Sequence, residues 1–148
     1  MIAAADFNIT KVERSKLVDI NLENIPFGKY FTDHMLEVDF EDGEWKTPEI
    51  KPYQPLLMAP SLAAIHYGQS IFEGIKAYKN SNGEASIFRP HANFKRFNIS
   101  AKRMQMPEIP EFIFMEGMKK LIEMDKNWIP SQADHSLYIR PFMFSCDD

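Results

Sequence analysis

The chain has 148 residues, 45% of them hydrophobic and 26% charged, with a net charge of −4. That length and balance suit one globular domain able to bury a core without staples, and they exclude a disordered tail. No apolar run approaches the roughly 18 residues of a spanning helix, which argues against a membrane protein, and the acidic balance argues against a nucleic acid as main partner.

Residues 1–25 are mixed and polar and read as an N-terminal arm or short lead-in strand; Met1–Asp6 lacks the basic and apolar stretches of a signal peptide. From His34 to Phe40, Leu36, Val38 and Phe40 alternate with Glu37 and Asp39, which predicts a half-buried strand. Asp42-Gly43 marks a tight turn. A second strand over 49–58 carries Pro52 and Pro55, which suit an edge or a bulge better than a central position. Ile71 to Tyr78 reads as a strand, turned back at Asn80-Ser81-Asn82-Gly83 into Glu84–Phe88. Pro90 opens a helix whose core face is Phe94, Phe97, Ala101 and Met104. After Pro107 and Pro110 a second helix runs from about Glu111 to Asn127, with a stripe of Phe114, Met118, Leu121 and Ile122. Leu137 to Phe144 closes the chain as an aromatic strand. Strands clustered around two helices predict an α+β class: a largely antiparallel sheet with two helices packed on one face. A strand ending so near Asp148 leads us to expect a truncated domain.

Several segments carry chemistry. Tyr138 and Arg140 share one face of the last strand, while Leu137 and Ile139 share the other. A phenol beside a guanidinium can receive a carboxylate; equally, the pair can be a plain strand edge. In His66–Tyr78, Gly68 and Gly74 permit an unusual turn or close backbone approach, with Tyr67 and Phe72 as flat apolar surface. The bland alternative is a bulged strand with two core aromatics. Arg96 lies in the first turns of its helix, placed to face an anion or simply solvent. Phe27–Met35 is an aromatic, glycine-bearing loop that can equally plug the core. Twelve Phe residues invite a search for an apolar pocket. The lone Cys146 makes no internal disulfide, so a reducing cytoplasm is the expectation, and His34, His66, His91 and His135 show no zinc spacing. No phosphate loop or dinucleotide fingerprint occurs.

Together, Phe27-Gly28-Lys29-Tyr30-Phe31-Thr32-Asp33-His34-Met35-Leu36, His66-Tyr67 with Phe72-Glu73-Gly74-Ile75-Lys76-Ala77-Tyr78, and Ser136-Leu137-Tyr138-Ile139-Arg140-Pro141 resemble the branched-chain amino acid aminotransferases. These belong to the class-IV fold (fold type IV) of pyridoxal-phosphate enzymes. Phe88-Arg89-Pro90 and Asn93-Phe94-Lys95-Arg96 fall between the last two segments in the family's order. The resemblance covers residue 20 to the end. It implies that residues 26–148 are the small N-terminal domain of a homodimeric transaminase. That enzyme moves the amino group between leucine, isoleucine or valine and 2-oxoglutarate with pyridoxal 5′-phosphate. It implies that Arg96 grips the cofactor phosphate. It makes Phe27, Tyr67 and Phe72 walls of the side-chain pocket, with Tyr67 reaching into the neighbouring subunit. Tyr138 and Arg140 become the readers of substrate carboxylates. The catalytic lysine lies, on this resemblance, in a large domain beyond Asp148, so none of these residues is catalytic and the chain alone is expected to be inactive. Lys76 matches a different family position and is not a substitute. Rival readings are a D-amino acid aminotransferase or aminodeoxychorismate lyase of the same fold, which the Phe27–Leu36 segment opposes. Two others are a non-catalytic dimerisation module and an unrelated α+β domain with an aromatic pocket for a small carboxylate.

Overall fold

A computed structural model describes residues 7–22 and 25–146. The chain is α+β, as its patterning predicts, but among the described residues the strands form four small sheets rather than one. The first sheet holds β1 (Asn8–Ile9), β2 (His34–Glu37) and β5 (Glu49–Pro52) in the order β1-β5-β2. Only β1 with β5 is parallel among the described pairings. β3 (Phe40–Glu41) and β4 (Glu44–Trp45) form a hairpin closed by Asp42 and Gly43, both with positive φ (55° and 80°), as a two-residue turn matched to the twist of its strands requires. Strand β5 is central in its sheet, against the expectation of an edge. The reason is its partner's length. β1 pairs with Glu49 and Ile50 alone, so Pro52 lies past the end of that ladder, where a missing N–H costs nothing.

Three α-helices occur among the described residues, and the two long ones follow from strong local signals. α1 (Ala63–Tyr67) has only five residues and ends on Gly68, whose φ of 66° is the left-handed helix cap. It replaces the bulged strand expected around Tyr67. α2 (Pro90–Arg103) begins at its proline and buries Phe97 and Ala101. α3 (Glu111–Met124) stops before Asp125 and is followed by a 3₁₀ turn at Lys126–Trp128. Both long helices pack on the buried face of the Ile71–Ala77 run, as predicted, and α3 also lies against a second sheet. α3 sits in the middle, with Phe114 against Phe94 and Phe97 of α2 and Gly117 against Leu36 of β2. Its apolar residues therefore run most of the way round, and Ile113 and Met115 are buried along with Phe114, Met118 and Ile122. A methyl group at Gly117 would lie 2.7 Å from Leu36 Cδ2. Gly117→Ala is therefore expected to destabilise the chain by about 1 kcal/mol net, because crowding outweighs the gain in helix propensity. A raised urea midpoint would contradict that.

The remaining strands are β6 (Ser70–Phe72) with β10 (Phe142–Phe144), and β7 (Ile75–Lys79) between β8 (Ala85–Ile87) and β9 (Leu137–Ile139). Ile71, Ile75 and Ala77 pack with Phe97, Ala101, Phe114, Met118 and Ile122 to form the core. Tyr67 and Phe72, expected as core aromatics on the bland reading, are both exposed.

Candidate functional site

Strands β6 and β7 are two halves of one run. Its side chains alternate without a break: Ile71, Glu73, Ile75 and Ala77 are buried, and Phe72, Gly74, Lys76 and Tyr78 are exposed. Phe142 pairs with Phe72, and Ile139 pairs with Ile75, both in the same antiparallel register. Continuing that register sets Gly74 opposite Arg140 and Glu73 opposite Pro141. The ladder is interrupted there because Pro141 has no N–H to give. Its carbonyl still accepts from Glu73 N–H at 2.8 Å.

This geometry assembles four of the residues singled out in the sequence. Phe72, Tyr138 and Arg140 share the outward face. Arg140 lies over both rings, 4.4 Å from the Phe72 centroid and 5.2 Å from that of Tyr138. Phe27 meets Tyr138 edge-on at 5.3 Å, reaching in from its loop. Leu137 and Ile139 pack on the core, so the predicted split of this strand between two faces is present. Among the described residues no hydrogen bond or ion pair holds the Arg140 guanidinium; two aromatic faces fix its position, and its five N–H donors remain available. Lys76 is directly opposite Tyr138 and is solvated.

Gly74 is what lets Tyr138 lie flat. A methyl group built on it would come within 2.5 Å of the Tyr138 hydroxyl and 3.1 Å of the ring. Gly74→Ala is therefore expected to push the phenol off the strand, at about 1–3 kcal/mol of stability. An unchanged midpoint in chemical denaturation would show that the ring has room.

The second centre is Arg96. Its Nε and Nη2 both donate to the two carboxylate oxygens of Glu73, each at 2.6 Å. Asn93, three residues earlier on α2, donates from Nδ2 to Glu73 at 2.8 Å and to the Gly74 carbonyl at 3.2 Å. Glu73 is 4% exposed, whereas the Arg96 side chain is 68% exposed. The Arg96 hydrogen bonds hold the Glu73 carboxyl below the ordinary carboxylate range against the opposing push of burial, with Asn93 adding to the effect. Sequence patterning assigns Glu73 and Asn93 no role. A signal for Glu73 is nonetheless present in it: a carboxylate at a core-facing position of an alternating strand requires a cationic partner.

Tyr67 stays apart. It is 84% exposed on α1, and among the described residues its one ring contact is with His66, at 6.4 Å. The Phe27–Phe31 loop does not plug the core, since Phe27 is 77% exposed. The loop is anchored just beyond, at Asp33, which accepts from Ser15 Oγ, Lys16 N–H and Trp128 Nε1. Two surface hollows lie elsewhere: about 390 Å³ beside α2 near Lys95 and Glu108, and about 190 Å³ between β8 and α3. Among the described residues no three His, Cys, Asp or Glu side chains gather to hold a metal ion, and no helix is long and apolar enough to cross a membrane.

Comparison with known proteins agrees with the resemblance. No family model matches the chain. A probable branched-chain-amino-acid aminotransferase of Staphylococcus epidermidis is 49% identical over 125 residues, covering 84% of this chain and 35% of that protein. Branched-chain-amino-acid transaminase 1 of Bacillus subtilis is 43% identical over 141 residues, covering 92% of this chain and 40% of the relative. The chain thus spans little more than a third of the curated relatives it matches. The crystal structure of the Escherichia coli branched-chain amino acid aminotransferase aligns over 78% of this chain and 34% of its own, with a TM-score of 0.57 at 26% identity. A T.th. branched-chain amino acid aminotransferase with pyridoxamine 5′-phosphate aligns over 64% of this chain and 29% of its own, with a TM-score of 0.51 at 34% identity. By sequence and by fold, this chain belongs to the branched-chain-amino-acid aminotransferase family, of whose curated members it represents a part.

Proposed function

We propose that the protein carrying this sequence is a transaminase that exchanges the amino group between leucine, isoleucine or valine and 2-oxoglutarate, using pyridoxal 5′-phosphate. The observation that carries this reading is the single outward face on which Phe27, Phe72, Tyr138 and Arg140 meet. Such an enzyme must accept two unlike side chains in one site. An aliphatic side chain gains about 0.8 kcal/mol for each methylene buried against the Phe27 and Phe72 rings. A glutamate side chain brings a carboxylate whose unpaired burial costs on the order of several kcal/mol. Arg140 resolves the conflict: its guanidinium lies against rings, so its apolar faces continue the aromatic wall while its edge offers hydrogen-bond donors. Tyr138 adds a hydroxyl on the same face.

The residues present fit one part of the cofactor. Glu73 takes Nε and one edge of Nη2 of Arg96. The end-on edge, one hydrogen each from Nη1 and Nη2, remains and matches two oxygens of a phosphate. The bound cofactor would supply the electron sink for loss of the Cα proton. This chain's share is to hold the phosphate at Arg96, orient the substrate carboxylate and exclude water from the apolar wall. The T.th. structures contain pyridoxamine 5′-phosphate in one case and N-(5′-phosphopyridoxyl)-L-glutamate in another, which supports the assignment of cofactor and of glutamate as co-substrate. Tyr67, exposed on α1 and away from the cluster, is assigned to a neighbouring subunit's site in a homodimer. The cytoplasm is the proposed location.

A coupled assay tests this reading. The intact protein is expected to form glutamate from 2-oxoglutarate and leucine, whereas the 148-residue chain alone, which spans 35–40% of its relatives, is expected to form none. Turnover by the isolated chain would overturn the assignment of these residues to substrate and phosphate reading only.

A further inference from the structure

We propose that Glu73, held by Asn93, is a positioning residue that fixes the Arg96 guanidinium for a phosphate; this rests on the reading of Arg96 given above. Three observations carry it. First, Glu73 occupies a core-facing position between Ile71 and Ile75, where an apolar side chain would be the default, and it is 4% exposed. Second, both its oxygens are used on one arginine, through Nε and Nη2, the side-on edge of the fork. That pairing stops rotation about the last side-chain bonds of a residue that is otherwise 68% exposed and free to sweep through solvent. Third, the carboxylate is itself immobile. Asn93 donates to it at 2.8 Å from the same face of α2, and the Glu73 backbone N–H donates to the Pro141 carbonyl at 2.8 Å.

The donors left over define the receptor. Arg96 has five N–H groups, and Glu73 takes two. Three remain in the guanidinium plane, and two of them, one on Nη1 and one on Nη2, form the end-on edge. A freely rotating guanidinium would spend ordering entropy on each ligand it binds; one already fixed does not. This placement has an electrostatic cost. Glu73 is an anion close to where a phosphate would sit, and on charge alone it repels it. The two effects have opposite signs, so removing the charge discriminates between them. Glu73 also adjoins Gly74, against which Tyr138 rests. One dipeptide therefore sets both the phosphate arm and the substrate face.

The test compares the affinity of the intact protein for pyridoxal 5′-phosphate with its affinity for pyridoxal, which lacks the phosphate. Comparing the two ligands cancels general damage to the fold. Glu73→Gln is expected to weaken pyridoxal 5′-phosphate binding roughly tenfold or more while leaving pyridoxal binding unchanged, as loss of a supporting partner does at other preorganised sites. Asn93→Ala, which leaves the ion pair intact, is expected to produce a smaller loss of the same kind and serves if Glu73→Gln does not fold. In an Arg96→Ala background, Glu73→Gln is expected to add nothing further. Tighter phosphate binding by Glu73→Gln would overturn the proposal, because it would mean that Glu73 acts only as a repelling charge. Equal weakening of both ligands would also overturn it, leaving Glu73 a fold residue. If Arg96→Ala itself keeps full preference for the phosphorylated ligand, the reading of Arg96 fails and the proposal fails with it. If Arg96→Ala loses that preference while Glu73→Gln and Asn93→Ala keep it, only the role of Glu73 is lost.

Discussion

Asp125→Ala is expected to remove about 2–5 kcal/mol of folding stability, a large part of what holds a domain of this size together. Asp125 follows the last turn of α3 and is buried with His34. Its two oxygens accept from the His34 backbone N–H at 3.0 Å and pair with His34 Nδ1 at 2.7 Å. On the far side of the ring, Val12 N–H lies 3.0 Å from Nε2. A backbone N–H only donates, so Nε2 is the accepting nitrogen and Nδ1 carries the proton given to Asp125. Truncating Asp125 therefore leaves two buried donors without acceptors, at about 1–3 kcal/mol each. It also loosens the join between the lead-in segment, β2 and the end of α3. Urea denaturation followed by circular dichroism measures this, and a loss below about 1 kcal/mol would show that water or a neighbour replaces the carboxylate.

Asp33, next to His34, makes the same region sensitive to acid. Burial pushes its carboxyl upward, but donors from Ser15, Trp128 and Lys16 outweigh that, and its pKa lies below the ordinary value of 3.8. A lowered native pKa contributes stability that is fully present above the unfolded value and is lost as pH falls through the native one. Glu73 acts in the same direction from its ordinary 4.5. Stability is thus expected to be flat in these two groups above about pH 5 and to fall below about pH 4. Asp33→Asn is expected to flatten part of that slope.

Arg140→Leu is expected to separate the two substrate classes. On the proposed reading a leucine side chain needs only the apolar wall of Phe27 and Phe72, so its kcat/KM is expected to change by no more than a few-fold. Glutamate and 2-oxoglutarate are expected to lose the proposed partner of a desolvated carboxylate, an effect of about 2–5 kcal/mol, or at least roughly thirtyfold in kcat/KM. Arg140 has no other anchor than Phe72 and Tyr138 among the described residues, so its removal should leave the fold intact. Equal losses for leucine and glutamate would assign Arg140 to a group the substrates share, such as the α-carboxylate.

Much of the frame is legible in the sequence because its signals are local. Pro90 starts α2, the Asp42-Gly43 pair closes the β3–β4 hairpin, and the Leu137–Arg140 alternation separates core from outward face. What escapes is non-local. The five residues of α1 are too few for a helical period to register. The central place of β5 depends on how short β1 is. α3 reads as an amphipathic surface helix, yet its second apolar side shows only once β2 is packed against Gly117. The site divides the same way. The sharing of a face by Tyr138 and Arg140 follows from a period of two, whereas the approach of Phe27 and the hold of Glu73 on Arg96 span sequence separations that no pattern encodes.

The most direct test of the central claim is amino-group transfer from L-leucine to 2-oxoglutarate by the intact protein with pyridoxal 5′-phosphate, run beside Arg140→Leu. The expected result is glutamate formation by the native protein, and a variant that still releases the keto acid from leucine in a single half-reaction but no longer turns over with 2-oxoglutarate. No transfer from leucine, isoleucine or valine, or transfer from D-amino acids alone, would contradict it.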